Sequence, residues 1–327
     1  MRALVTGGCG FIGSNLVHKL VETGWTVDIV DSLVTGRLEN LDDLRVRPVI
    51  SALSMHIDDR RGKDDVVFFE TDIEDRHVLD RIRDGRYDVV FHLAANPRVS
   101  QTVENPAATT DVNCTRSLSL IEAVRDCKSP LRLVFSSTCA LYGDAEIPTG
   151  EDSRPKPSSP YGLQKLFVED YIRIAVELHG IDAVSLRYFN VYGPRQYGDS
   201  AYATAITAWC NCVKNGNSLR SDGDGEQSRD MVFVGDVVRA NLLAATRTEP
   251  FRGQAYNIGT GRSYSNNEIL DMFRLKFGKI NVSNAPARVG DIKHTRANTE
   301  QAATNLGFVS QVDLARGLEM TWKWWGL

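Results

Sequence analysis

The sequence predicts an α/β protein, a doubly wound parallel sheet joined to a smaller C-terminal lobe. Three observations predict it. Short Val/Ile/Phe-rich runs at 2–6, 26–30, 66–70, 87–93, 131–137, 183–188 and 255–259 are predominantly apolar without strict alternation, as strands buried on both faces are. The segments between the earlier runs carry helical periodicity, which puts helices on both faces of the sheet through right-handed crossovers. Glycines cluster directly between the first strand and the first helix, at Gly7, Gly8, Gly10 and Gly13.

The first helix has Ile12, Leu16 and Leu20 at i, i+4 and i+8, with Val17 and Val21 beside them, which gives one apolar stripe for the sheet. The stretch 45–65 breaks the rhythm with Arg, Asp and other polar residues and reads as a loop or short helix extending a crossover. Two long amphipathic helices are predicted over 106–127 and 161–179. Past residue 190 Gly, Asn and Ser become frequent and the strands shorten. The expected division is therefore a dinucleotide-binding domain over 1–189, with segments near 231–260 returning to it, and a smaller lobe over 190–327.

Composition narrows the function. With 38 Lys+Arg against 42 Asp+Glu the net charge is −4 over 327 residues, and no long run of one sign calls for a nucleic acid or an acidic membrane as partner. No stretch approaches the roughly 18 apolar residues of a spanning helix. Met1 leads straight into Arg2, Ala3, Leu4 and Val5 without a signal-peptide pattern, so a cytoplasmic protein is expected. The six cysteines show no CxxC pairing and the six histidines no ligand spacing. Free thiols and no structural zinc are expected.

The glycine turn carries chemistry. Thr6-Gly7-Gly8-Cys9-Gly10-Phe11-Ile12-Gly13 follows a strand and opens a helix, the setting in which main-chain N–H groups approach a pyrophosphate at the positive helix end. Asp31 closes the next strand 18 residues past Gly13, where a carboxylate accepts hydrogen bonds from the adenosine ribose and repels a 2′-phosphate, favouring NAD over NADP. Tyr161 and Lys165 stand at i and i+4 on one helix face. A free tyrosine has a pKa near 10 and is a poor base; a neighbouring ammonium favours the phenolate. Upstream, the strand 131–137 runs into Ser136-Ser137-Thr138, which puts hydroxyls at the carboxyl end of a parallel strand, where such sheets bind ligands. Thr138 lies 23 residues before Tyr161, and the two could meet over one substrate hydroxyl.

The glycine turn, Asp31, Asp72-Ile73, His92-Leu93-Ala94-Ala95, Ser136-Ser137-Thr138, Tyr161 with Lys165, and Arg187-Tyr188-Phe189-Asn190 together resemble the extended short-chain dehydrogenase/reductase superfamily. Within it the chain is most similar, from residue 2 to about 310, to the UDP-sugar 4-epimerases. The resemblance implies a Rossmann sheet holding NAD through Gly7, Gly10, Phe11, Ile12, Gly13, Asp31, Asp72, Ile73, Leu93, Ala94, Ala95, Asn113, Ser136, Tyr161, Lys165 and Tyr188. Tyr161 would be the base on the sugar 4-hydroxyl, Lys165 would bind the nicotinamide ribose and keep Tyr161 ionised, and Thr138 would hydrogen-bond the reacting oxygen. The reaction would invert C4 through a transient 4-keto sugar with no net oxidation.

For the nucleotide sugar the resemblance implies Asn190 and Arg229 on the diphosphate, Arg288 on phosphate, Asp291 on the uridine ribose and Thr295 at the position that gates sugar substituents. The alternative for Arg229 is an ion pair with Asp230. A small Thr295 leaves room for a 2-acetamido group, so UDP-N-acetylglucosamine and UDP-N-acetylgalactosamine are the expected substrates, alongside UDP-glucose and UDP-galactose. Cys139-Ala140 stand where related 4,6-dehydratases carry an acidic pair, which argues against dehydration, and Asp222 replaces the aromatic or apolar residue usual beside the uracil. Relatives pair their long helices into a four-helix bundle, so a homodimer is expected. The alternatives are a uronate epimerase, a decarboxylase, a net oxidoreductase, or an NAD-binding scaffold without catalysis.

Overall fold

Apolar β1 (Arg2–Thr6) and β2 (Thr26–Asp31) enclose helix α1 (Phe11–Glu22), whose Leu16, Val17 and Leu20 are buried on the stripe that the periodicity marks. The computed structural model describes residues 1–49, 65–197, 204–286 and 292–327. The chain continues through β3 (Arg45–Pro48), β4 (Asp65–Glu70), α2 (Arg76–Arg83), β5 (Val89–His92), α3 (Val99–Glu104), α4 (Pro106–Thr110), α5 (Arg116–Arg125), β6 (Arg132–Thr138), α6 (Pro160–His179) and β7 (Asp182–Tyr188). It then forms β8 (Asn190–Tyr192), α7 (Ala205–Lys214), β9 (Leu219–Asp222), β10 (Ser228–Phe233), α8 (Val234–Thr246), β11 (Ala255–Ile258), β12 (Ser263–Ser265), α9 (Asn266–Phe277), β13 (Val282–Ala285), α10 (Glu300–Leu306) and α11 (Leu314–Trp325).

Eight strands form one sheet in the order β11-β7-β6-β5-β1-β2-β4-β3. β1 pairs in parallel with β2 on one side and with β5 on the other, with Thr6 opposite both Val30 and His92. The chain therefore winds outward from β1 in one direction, then returns to start again at β5. That reversal is the topological switch point, where a doubly wound sheet opens a crevice at its strand ends.

The chain divides into two compact units. The first comprises Met1–Ser137, Ser159–Leu186 and Asn241–Ala255; Leu4, Val30, Val90, Leu133, Phe135 and Ile172 are among the buried residues of its core. Its longest helix, α6, starts where the Ser159 hydroxyl accepts from Gly162 N–H, with Pro160 in the first turn, and stops at Gly180, which is left-handed at φ 67°, so the ends are set by local chemistry. The second unit comprises Thr138–Ser158, Arg187–Ala240 and Tyr256–Leu327. It holds the small sheets β12-β10-β8 and β13-β9. Its core includes Phe273 in edge contacts with Trp209 and Trp322, centroids 5.6 and 5.2 Å apart.

Two expectations are corrected. The segment 45–65 is neither wholly loop nor helix: Arg45–Pro48 is a parallel strand on β4, while 50–64 lie outside the described residues. Its polarity follows from its place, because the sheet order ends at β3 and only Val46 is even half-buried. Arg47 there pairs at 2.7 Å with the buried carboxylate of Asp65. The helix expected over 106–127 is not uniform: a π-turn at Asp111–Thr115 separates α4 from α5. The Ser117 hydroxyl donates to the Asn113 carbonyl at 2.8 Å within this widened turn. No helix among the described residues is long and apolar enough to cross a membrane.

Candidate active site

The glycine turn sits at the switch point. Gly7 lies at φ +70° with its N–H on Val30 O at 2.8 Å, and a Cβ there would stand 2.9 Å from Ala94 N. A Cβ on Gly13 would fall 2.1 Å from Gly7 O. Only glycine lets the turn close this tightly. Gly10 caps α1 without a side-chain hydrogen bond, so Phe11 and Ile12 open a helix end whose first N–H groups are offered to an anion.

Asp31 is buried beneath the turn. Its Oδ2 accepts from Cys9 N–H at 2.9 Å and its Oδ1 from Leu33 N–H at 2.8 Å. Burial raises its pKa, while those two N–H groups act to lower it. A carboxylate has about four acceptor positions, so capacity remains for ribose hydroxyls. On the far side of β1, the Thr6 hydroxyl accepts from Leu93 and Ala94 N–H at 3.2 and 3.1 Å, which fixes the chain entering Ala95. Asp72 accepts from Ile73 N–H at 2.7 Å and pairs with Arg116. Arg116 also holds Asp111 at 2.7 Å. These residues fit a dinucleotide, because the cradle is one that any Cβ would fill.

The tyrosine–lysine pair lies in the first two turns of α6, with Tyr161 half-buried. Lys165 is buried, its Nζ donating to Ser136 O at 2.8 Å and lying 4.7 Å from the Phe135 ring centroid. Burial lowers its pKa to about 8, against the charges of Cys114 and Glu169, which raise it. Asn113, in the π-turn, donates to Gln164 Oε1 at 2.7 Å, so the turn is fastened to α6 beside Lys165. The structure thus brings the predicted Ser136, Asn113 and Lys165 into one connected group. Gln164 escaped the sequence reading; it is one of three buried polar side chains of α6, with Lys165 and Glu169, and no local pattern singles it out.

In the second unit Thr138 ends β6, its hydroxyl accepting from Ala140 N–H at 3.2 Å. Tyr188, at the end of β7, is buried. Asn190 donates to Thr295 Oγ1 at 3.1 Å and to Asp230 O at 3.3 Å. Arg229 donates to Ser228 O at 3.0 Å and Lys293 O at 3.2 Å. Asp230 is fully buried and its oxygens accept from Thr260 N–H and O–H, Gly261 N–H and Ala297 N–H at 2.7–3.0 Å. Its carboxylate is thus held by main chain and hydroxyl. Asp222 pairs with Arg220 at 2.6 Å. Arg288 and Asp291 lie outside the described residues. Burial, with the Asp230 charge, pushes the pKa of the Cys139 thiol up to about 12. The described residues contain no group of His, Cys, Asp and Glu able to hold a metal ion.

A glycine cradle at the switch point, an acid on the second strand and a buried ammonium one helical turn from a tyrosine define a dinucleotide-dependent enzyme of the doubly wound class. The model of the NAD dependent epimerase/dehydratase family matches residues 3–259, and the chain belongs to that family. Its cofactor is NAD.

A "Putative UDP-glucose 4-epimerase" of Methanocaldococcus jannaschii is 33% identical, over 98% of this chain and 97% of that one. The solved UDP-N-acetylglucosamine 4-epimerase of Methanobrevibacter ruminantium, in complex with UDP-N-acetylmuramic acid, is 33% identical with a TM-score of 0.87, covering 99% of this chain and 97% of that one. The UDP-glucuronic acid 4-epimerase of Bacillus cereus, solved with UDP-glucuronic acid and NAD, is 28% identical with a TM-score of 0.86, covering 100% of this chain and 99% of that one.

Proposed function

We propose that the protein is a UDP-sugar 4-epimerase that interconverts UDP-N-acetylglucosamine and UDP-N-acetylgalactosamine, and also UDP-glucose and UDP-galactose. The observation that carries the reaction type is the buried Lys165, fixed on Ser136 O one turn from Tyr161. Its charge stabilises a phenolate on Tyr161, which takes the proton from the sugar 4-hydroxyl and gives it back. Thr138 hydrogen-bonds the same oxygen. Gly7, Gly10, Gly13 and the start of α1 hold the pyrophosphate, and Asp31 the adenosine ribose. NAD held there would supply the redox chemistry at C4, as a reversible hydride carrier.

Asn190 and Arg229 take the UDP diphosphate, a planar guanidinium suiting paired phosphate oxygens. Arg288 and Asp291 complete the nucleotide site. The sugar preference rests on Thr295. Its side chain is short and tethered to Asn190 at 3.1 Å, which leaves space beside C2 for an acetamido group. A homodimer through α6 completes the proposal: Leu163, Phe167, Ile174 and Leu178 lie on one face of that helix and are exposed.

The test is direct. The purified protein with NAD is incubated separately with UDP-N-acetylglucosamine, UDP-glucose and UDP-glucuronic acid, and the sugars are separated while reduced nicotinamide is followed. Epimers of the first two without accumulating reduced cofactor are expected. Steady accumulation identifies a net oxidoreductase; turnover of the uronate alone overturns the substrate assignment. Tyr161→Phe should lose roughly 10²–10⁴ in rate, and near-normal turnover in that variant refutes the base.

A further inference from the structure

We propose that His92 and Gln164 are positioning residues of the active site, two links in one hydrogen-bonded chain that ties the strand end beside the glycine turn to the helix carrying Tyr161 and Lys165. The proposal rests on the reading of Tyr161 and Lys165 given above and concerns what holds them in place. Counting hydrogens gives the chain a direction. Thr6 Oγ1 accepts from Leu93 N–H and Ala94 N–H at 3.2 and 3.1 Å. Both of its lone pairs are engaged, so its own proton goes to His92 Nδ1, 2.9 Å away.

The bare Nδ1 places the imidazole proton on Nε2, which donates to Ser117 Oγ at 2.9 Å. Ser117 then donates to Asn113 O at 2.8 Å, within the π-turn, a helix irregularity that recurs at functional sites. Both Asn113 side-chain N–H groups are used, and its oxygen accepts once. Its oxygen accepts from Asn96 N–H at 2.7 Å, and its nitrogen donates to Asn96 O at 3.1 Å and Gln164 Oε1 at 2.7 Å. Gln164 Nε2 in turn donates to Thr109 and Thr110 Oγ1 at 3.2 and 3.0 Å.

His92, Asn113, Ser117 and Gln164 are all buried, where a polar network must be fully satisfied to be tolerated. The groups facing His92 are Thr6, Ser117 and the Phe135 ring at 5.6 Å, and the charge that acts on it is Lys165. Burial, helped by that ammonium, lowers the His92 pKa to about 3. A second proton on Nδ1 would also meet a hydroxyl with no lone pair to spare. The chain therefore has one stable arrangement, and it sets α6 against the strand end in a single register.

The closing experiment has two arms. Protein labelled with [15N]histidine has six imidazoles to resolve, and His92→Gln assigns the relevant one. A neutral Nε2–H tautomer for His92, unchanged between pH 5 and pH 9, is expected; an Nδ1–H tautomer or a titration in that window overturns the chain. In kinetics, Gln164→Met keeps shape but removes both ends of the link, whereas Gln164→Glu keeps the acceptor used by Asn113. Gln164→Met should lower kcat about tenfold or more at unchanged KM, since small misplacements of reacting groups are costly, and Gln164→Glu should lie between it and the parent. Unchanged kcat in Gln164→Met with only a lower Tm overturns the positioning role. The tautomer is read without substrate, so a failure of the epimerase reading shows separately, in Tyr161→Phe.

Discussion

The ammonium of Lys165 donates to the main-chain carbonyl of Ser136 at 2.8 Å, in a site from which water is almost excluded. Main chain alone holds the hydrogen bond, so the charge remains available to the phenol one helical turn earlier. Burial brings the Lys165 pKa from 10.5 down to about 8. In the cofactor-free protein two opposite trends follow as pH rises through that value. Lys165 loses its proton and with it the support for a phenolate, so single-turnover activity after NAD addition should fall above pH 8. Stability moves the other way. Between pH 8 and 10.5 the unfolded chain binds more protons than the folded one, and stability from this residue rises with pH. Tm and activity profiles of the parent against Lys165→Met check both, since the variant should lack both trends.

Gly13→Ala should damage cofactor binding without touching any reacting group. Its Cβ would overlap Gly7 O at 2.1 Å, and main chain cannot rotate away as a side chain can. A strain of about 1–3 kcal/mol corresponds to roughly fivefold to hundredfold in NAD affinity. Titration calorimetry with NAD measures it, and unchanged affinity would show that the pyrophosphate does not use this turn.

Thr295→Tyr should separate the two sugar pairs. The phenol fills the space that the short side chain leaves and removes the hydroxyl that Asn190 uses at 3.1 Å. Activity on UDP-N-acetylglucosamine should drop at least tenfold more than activity on UDP-glucose. Equal turnover of the acetylated sugar in parent and variant contradicts the gating role.

Leu163 and Phe167 are 58% and 44% exposed on successive turns of α6. Covering the exposed half of each side chain is worth about 1 kcal/mol. Leu163→Glu with Phe167→Glu should convert the proposed homodimer to monomer in light scattering. A parent protein that is monomeric at micromolar concentration disproves the homodimer outright.

The seven Val/Ile/Phe-rich runs all become strands of the large sheet, because burial on both faces enriches a strand in apolar side chains on both of its sides. The small strands of the second unit were not individually legible. Met231 and Val232 in β10 are buried, but that strand begins with Ser228-Arg229-Asp230, whose polarity belongs to the turn and to a caged carboxylate. Spacing marked the glycine turn, Asp31 and the Tyr161/Lys165 pair because each is a local pattern. The Asn190–Thr295 contact joins residues 105 positions apart, and nothing local announces it. The same holds for Asp230, whose four donors come from Thr260, Gly261 and Ala297. The π-turn escaped as well, since Asn113 and Ser117 interrupt the apolar stripe only mildly.

The outermost strand, β3, has a bearing on how copies of this protein coexist at high concentration. It is four residues long, with the sequence Arg-Val-Arg-Pro. A sheet edge is a template on which a foreign strand could build. The Arg45 guanidinium repels another copy of the same edge, and a proline deprives it of a donor. The polarity that disguised this segment thus protects the sheet against aggregation, and Arg45→Val, which leaves the Arg47–Asp65 pair in place, should turn a soluble preparation turbid at lower concentration than the parent.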